Sequence, residues 1–377
     1  MNQRIYLLVN LGTPASPSTS DVRRYLGEFL MDPYVIDIPT PLRWLLVHGI
    51  ILRTRPSRSA AAYEKIWSKE GSPLLFHTRK LTEQVNTRYE GQSLKDRAFF
   101  CMRYGEPSIS SGITQILENT KATTDGAEIF VIPLYPHFAD SATTTALAKF
   151  EQEIAKAFVK RGFSSCSNKL GQERDGIWRH LAFKKQQVRI QLKSVPHFYQ
   201  SRMWIDSLVG SIKNATLEED EFLLLSFHGL PERHIKKRDR DQPPRCLISA
   251  NCCAQPSEFA KEYCYRAQCF QTLRDVQREL KLPIDRVSLG FQSRLGRNKW
   301  IDPSTTNQLV QLRKNGVEKL VVACPSFVGD CLETLEEVNI ALREQWTHLG
   351  GKSFRYIACL NETEMWVDNL TTWLTEL

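Results

Sequence analysis

A histidine stands at the end of one of the most apolar runs in this chain: Phe222-Leu223-Leu224-Leu225-Ser226 leads into Phe227-His228-Gly229-Leu230-Pro231. A short continuous apolar run bounded by Gly and Pro reads as a buried strand entering a loop. His228 is then held on a rigid platform, where a neutral imidazole can bind a metal ion or take a proton near pH 7. A second run, Lys319–Ala323, is followed by an acidic stretch that contains Asp330, Glu333, Glu336 and Glu337. A helix starting near Asp330 places Asp330, Glu333 and Glu337 at i, i+3 and i+7 on one face, with Leu332, Leu335 and Val338 on others. Such a row is either a solvated helix start with Asp330 as N-cap, or a relay for cations. Acidic groups so close together can conduct protons or a hydrated cation such as Fe²⁺, for which carboxylates and imidazole are workable ligands. Thiols supply a third feature, with Cys246, Cys252, Cys253, Cys264 and Cys269 crowded into residues 246–269. Thiolates at that density suit an iron–sulfur cluster or a structural zinc.

The elements that must position these residues occur twice. Tyr6–Val9 runs into Gly12 and Pro14 as Phe222–Leu225 runs into Gly229 and Pro231. Phe99–Gly105 resembles Gly290–Gly296, and Gly126–Pro133 resembles Gly316–Pro325, at nearly equal offsets. When Gly229 is laid over Gly12, His228 falls on Leu11, so the repeat itself does not require a histidine there. Apolar strand runs without strict alternation, separated by helical patterns at Leu81–Tyr89, Thr143–Val159 and Ala267–Leu280, argue for buried parallel strands with crossover helices. The expected fold class is α/β: two similar Rossmann-like domains, 1–190 and 191–377, with parallel sheets flanked by helices and a cleft between them. Sites in such sheets lie beyond the carboxyl ends of the strands. Gly12, Arg103, Pro133, His228, Arg294 and Pro325 are therefore expected around the cleft.

Composition removes several function classes. The net charge is +8 from 50 Lys and Arg against 42 Asp and Glu, but the two signs are interleaved, which is the pattern of a solvated surface and not of a nucleic-acid footprint. No stretch reaches the roughly 18 apolar residues that span a bilayer. The start, Met1–Val9, lacks the apolar region and cleavage site of a secretory signal, so a cytoplasmic protein with reduced cysteines is expected. Residues 38–56 form a short apolar segment with Trp44 inside it and Arg53 and Arg55 after it, suited either to a buried helix or to peripheral contact with an inner membrane surface. No Gly-x-Gly-x-x-Gly follows either strand and there is no Walker A motif, so hydride transfer and NTP-driven chemistry both lose support.

Seven segments taken in order resemble the bacterial ferrochelatase family: Leu8–Pro14, Gly71–Leu74, Met102–Ile109, Pro133–Pro136, Ser226–Pro231, Phe291–Arg294 and Asp330–Glu337. The resemblance runs from about residue 5 to 345. It implies an ATP-independent lyase that inserts ferrous iron, its substrate, into protoporphyrin IX in the terminal step of haem biosynthesis. It further implies that His228 and Glu333 are the catalytic, iron-facing pair, with Asp330 and Glu337 as a supporting acidic path. Arg53, Arg55, Ser72 and Arg103 are implied near the porphyrin, and the apolar segment 42–52 as a lip. An apolar cleft wall with Trp300 would bend the macrocycle. A coproporphyrin ferrochelatase, another tetrapyrrole metal chelatase, or a carrier of haem or iron–sulfur groups without catalysis stand as alternatives; an acidic row behind His228 argues against the carrier.

The chain departs from the family pattern in two places. Members have a short connection where this one has a Cys-rich insert, residues 243–266. Some ferrochelatases carry a [2Fe–2S] cluster, and Cys246, Cys252, Cys253 and Cys264 are the preferred ligands here, with Cys269 as an alternate. Residues 164–187 also look longer than the usual connection, and a surface loop is expected there.

Overall fold

The structure, a computed structural model, describes residues 3–120, 126–173, 176–249, 251–294 and 298–377, with the side chains of 166–181 excepted. The chain divides into two compact units: residues 1–135, 140–198 and 370–377 form the first, and residues 136–139 and 199–369 the second.

The first unit is built on a six-stranded sheet. Its strands are β1 (Gln3–Gly12), β2 (Arg97–Tyr104), β3 (Ala127–Pro133), β4 (Ser164–Glu173), β5 (Gly176–Lys185) and β6 (Val188–Ser194), in the order β2-β1-β3-β6-β5-β4. The first four positions are parallel. Ile5 to Val9 are all fully buried, because helices cover both faces of a parallel sheet and leave no solvent side for polar residues. Each such side chain contributes about 1.5–3 kcal/mol relative to an exposed one. The helix Ile109–Asn119 shows how the cover is encoded: Ser108 caps it by accepting from Ser111 N, and Ile109, Ile113, Ile116 and Leu117 recur at helical spacing against β1 and β3.

The second unit holds a four-stranded parallel sheet of β7 (Glu221–His228), β8 (Val287–Gln292), β9 (Lys319–Ala323) and β10 (Ser353–Tyr356), in the order β10-β9-β7-β8. The repeat seen in the sequence is thereby matched strand for strand. β2-β1-β3-β6 and β8-β7-β9-β10 have the same order and direction. In the first unit Gly12, Arg103 and Pro133 lie at the carboxyl ends of β1, β2 and β3; in the second His228 ends β7, Arg294 lies just past β8, and Pro325 just past β9.

Two expectations change. The boundary at residue 190 falls inside β6, whose main chain pairs with β3 from Ala127↔Ile190 to Val131↔Ser194. That strand therefore stays with the first unit, which holds the chain as far as Phe198 apart from residues 136–139. Residues 164–187, expected as a surface loop, contain both strands of the antiparallel hairpin β4–β5, which extends the sheet beyond β6 through pairs such as Phe183↔Ile190. Phe183 is buried against Phe158, their ring centres 5.1 Å apart, so the hairpin is anchored in the core.

Candidate functional site

β7 delivers His228 as its last residue, half-buried after seven buried ones. The imidazole Nδ1 lies 2.6 Å from the carbonyl oxygen of Gly229. A carbonyl can only accept, so Nδ1 carries the proton and the Nε2 lone pair remains for another partner. Gly229 itself is required: its N–H donates to Gln292 O at 2.7 Å, and a Cβ there would stand 2.5 Å from that same oxygen. Burial lowers the His228 pKa below its usual 6.5, while the Glu333 carboxylate and the Gly229 bond pull it back upward. Trp300 lies against the same turn, buried, its ring atom Cε3 3.2 Å from where a Gly229 Cβ would be. His228, Glu333 and Trp300 are thus neighbours.

The acidic segment is not one α-helix. A single helical turn, Leu332–Thr334, passes into a π-helix over Leu335–Leu342 before α-helix resumes at Arg343–His348. π-turns are rare and concentrate at functional sites. Glu333 is held from behind by Gln292 Nε2, which donates to its main-chain oxygen at 2.8 Å. Glu337 accepts a hydrogen bond from the Ser293 hydroxyl at the end of β8. Glu337 is thereby tied to the end of β8, and the Glu333 carboxylate acts electrostatically on His228 at the end of β7. Asp330 does not join them: it is buried and accepts from Tyr356 Oη, from Thr334 Oγ1 at 2.9 Å and from Asn361 Nδ2 at 2.8 Å. The expected i, i+3, i+7 row presumed α-helical spacing from Asp330 onward, and neither the loop before Leu332 nor the π-turns after Thr334 keep it.

In the first unit, Arg55 is half-buried and its Nη1 is buried with no hydrogen-bond partner, a polar group that calls for an anion. Arg53 is exposed on the same helix, Leu52–Ile66. Ser72 is buried at the start of the helix Pro73–Gly91 and accepts from Thr13 Oγ1 at 2.8 Å. Arg103 is already engaged: it pairs with buried Asp32, donates to Thr145 Oγ1 at 2.7 Å and stacks on the Tyr104 ring. That places Arg103 in the scaffold at the end of β2. The lip is present as an exposed apolar surface in which Leu42, Trp44, Leu45 and Ile50 are each more than half exposed, and it is a helix-forming segment, not a buried one. No described helix is long and apolar enough to cross a membrane.

The thiols of the insert do come together. Cys246, Cys252, Cys253 and Cys264 are all buried, with Sγ–Sγ distances of 3.9 Å for Cys246 and Cys264 and 3.8 Å for the adjacent Cys252 and Cys253. Arg266 Nη1 lies 3.0 Å from Cys253 Sγ. The Cys264 thiol and the guanidinium both favour the Cys253 thiolate, whose pKa falls to about 6, and Cys246 is likewise lowered by Cys264, which is itself pushed well up. Cys269 is fully buried in the helix Tyr265–Leu280, where burial holds it protonated. Among the described residues no three His, Cys, Asp or Glu side chains converge as they would around a single metal ion.

Comparison with known proteins settles the family. The family model described as Ferrochelatase matches residues 6–168 and 163–377. A ferrochelatase of Pseudomonas fluorescens is 41% identical over 372 residues, covering 99% of this chain and 97% of that protein. A ferrochelatase of Coxiella burnetii is 40% identical over 367 residues, 96% of this chain and 90% of its own length. The chain belongs to the ferrochelatase family. In this ferrochelatase-family chain, the strand-end imidazole of His228 and the Glu333 carboxylate that acts on it are a part of the second unit that the sequence resemblance singles out. Sequence reasoning missed three residues that hold this part together: Gln292, Ser293 and Ser326. Gln292 and Ser293 belong to the Phe291–Arg294 segment, so the signal was present without a role attached to it.

Proposed function

We propose that the chain inserts Fe²⁺ into protoporphyrin IX to complete haem, with His228 as the group that takes the pyrrole protons and Glu333 as its partner. The observation that carries the proposal is the Nδ1–H bond to Gly229, which leaves a neutral imidazole with Nε2 as its only lone pair beside a carboxylate. The reaction balances as porphyrin plus Fe²⁺ giving haem and two protons. Each pyrrole proton passes to Nε2 and then to Glu333, and Glu337 offers the next carboxylate toward water. Asp330, fixed by its buried donors, sets the helix start from which Glu333 projects. Trp300 supplies apolar surface against which the macrocycle is held. The buried unpartnered Nη1 of Arg55, with Arg53 on the same helix, suits a propionate, and Ser72 is a further hydroxyl of the first unit that could meet one. No nucleotide enters this scheme.

The exposed surface of Leu42, Trp44, Leu45 and Ile50 supports a poorly soluble dicarboxylate porphyrin over a tetracarboxylate one. Together with Arg53, it also supports peripheral binding to anionic membrane from the cytoplasmic side. Unpaired buried cysteines agree with a reducing compartment. Steady-state assays with Fe²⁺ and protoporphyrin or coproporphyrin in parallel are expected to favour protoporphyrin. A Trp44→Ser, Leu45→Ser double variant is expected to lose both that preference and co-sedimentation with anionic vesicles. Equal rates on the two porphyrins in the parent would remove the dicarboxylate assignment.

The two thiol pairs suit a [2Fe–2S] cluster, in which each iron takes two thiolates and no three protein ligands meet at one ion, and Cys253 and Cys246 are already disposed to ionise. Cys246, Cys252, Cys253 and Cys264 would hold it, and such a group supplies one-electron redox chemistry and a cross-link for the insert. Anaerobically purified protein is expected to absorb in the visible and to contain about two irons and two acid-labile sulfides per chain, with all three signals lost in Cys253→Ser. One colourless metal per chain would mean zinc instead, and metal-free protein with an unchanged melting temperature in Cys264→Ser would mean a reduced thiol cluster.

A further inference from the structure

His228 is gripped by its main chain as well as by its ring. Its N–H donates to Ser326 Oγ at 3.3 Å, and its carbonyl oxygen accepts from Tyr265 Oη at 2.8 Å. Tyr265 Oη and Ser326 Oγ are 2.7 Å apart. The phenol has one proton, and the carbonyl can only accept, so that proton goes to His228 O. The Ser326 hydroxyl must then donate to Tyr265 Oη while accepting from His228 N. The three residues close a ring of hydrogen bonds, His228 N–H to Ser326, Ser326 to Tyr265, and Tyr265 to His228 O, in which each bond polarises the next.

The ring draws on three separate elements. His228 ends β7, Ser326 lies in the loop after β9, and Tyr265 opens the helix Tyr265–Leu280 directly after Cys264. Tyr265 is 5% exposed, its ring set among Phe291 and His137 at centre distances of 6.4 and 5.9 Å. A buried phenol in that apolar setting loses more than a kilocalorie-scale contact if its hydroxyl is left without partners, so the ring is a fixed construction. It also occupies both main-chain groups of His228, whose β8 neighbour Gln292 in turn holds Glu333.

We propose that Tyr265 and Ser326 are positioning residues for metal insertion, which clamp the main chain of His228 so that Nε2 meets the porphyrin nitrogens at a set height. This rests on the reading of His228 as the proton-accepting group. A side chain pivoting on a strand end moves with its Cα, and a displacement near 1 Å at a reacting group costs up to roughly a hundredfold in rate. Binding of the porphyrin, spread over a much larger surface, is not expected to register so small a shift.

Steady-state kinetics of Tyr265→Phe, Ser326→Ala and the double variant, with His228→Ala in parallel, test the clamp. Tyr265→Phe keeps the buried ring and removes only the hydroxyl. Either single variant is expected to lose roughly ten- to a hundredfold in kcat with KM for porphyrin unchanged. The double variant should fall little below the lower single one, because opening a closed ring once breaks it. Ser326→Thr, which keeps a hydroxyl, should recover most of the kcat lost in Ser326→Ala. Unchanged kcat in both single variants, losses that multiply in the double variant, or losses that track only a drop in melting temperature would overturn the clamp. If His228→Ala is dead while Tyr265→Phe turns over at the parent rate, the clamp alone fails; if His228→Ala still turns over, the reading of the site fails with it.

Discussion

His228→Ala is expected to abolish iron insertion while leaving the far-UV dichroism and melting temperature close to those of the parent. The side chain is the one half-buried member of an otherwise buried strand, and among the described residues its ring makes one hydrogen bond, to the adjacent Gly229 carbonyl. Neither feature belongs to the core that holds β7 in place, which is formed by residues such as Leu224 packing with Val322 and Leu309. The main-chain bonds to Ser326 and Tyr265 survive truncation to Ala, so the strand end keeps its shape. What disappears is the only neutral nitrogen base at this position, and loss of a positioned base costs on the order of 10²–10⁴ in rate. Retained turnover in a variant with normal dichroism would remove His228 from the chemistry.

Glu333→Gln is expected to cost a comparable factor, on the order of 10²–10⁴, and Glu336→Gln to cost little. The amide keeps the size of Glu333 and its main-chain bond from Gln292, so the change is one of charge. The carboxylate raises the His228 pKa against the lowering effect of burial. Its removal therefore leaves an imidazole that is harder to protonate and has nowhere to pass its proton. The pH profile gives the sign: a base whose pKa has fallen stays neutral to lower pH, so the acid limb of kcat in Glu333→Gln should move down, not up. Equal losses from Glu333→Gln and Glu336→Gln would mean that overall negative charge, and not the placement of one acid, sets the rate.

Much of the scaffold was legible because it is written in contiguous apolar runs. Tyr6–Val9 and Phe222–Leu225 are buried on every residue, and the shared order of their sheets follows from offsets visible in the sequence. His228 was legible for the same reason, as a polar residue ending such a run before Gly and Pro. The π-helix was not, since nothing in the composition of Leu335–Leu342 sets it apart from an α-helix. The hairpin β4–β5 was obscured by the absence of an apolar run in Ser164–Glu173, a strand that pairs only through β5, which in turn pairs with β6. Arg103 illustrates a different limit: a motif position shows that an arginine is present, and only the fold shows that Asp32 has already claimed it. The convergence of Cys246 with Cys264 spans a loop, and no local pattern fixes which thiols meet.

The π-helix makes the second acid of the site a matter of counting. A π-turn is an α-turn with slack, since each main-chain bond reaches one residue further along. Glu333 precedes the slack and Glu337 lies within it. Substitutions that respect the buried positions Val338 and Leu342 leave the count unchanged, so the segment has latitude in residue type. It has none in length: dropping one residue between Glu333 and Glu337 would set Glu337 one place back along the helix and away from the Ser293 hydroxyl it accepts from. The distance between the two carboxylates is thereby protected by the reading frame of the helix and not by the chemistry of the residues between them.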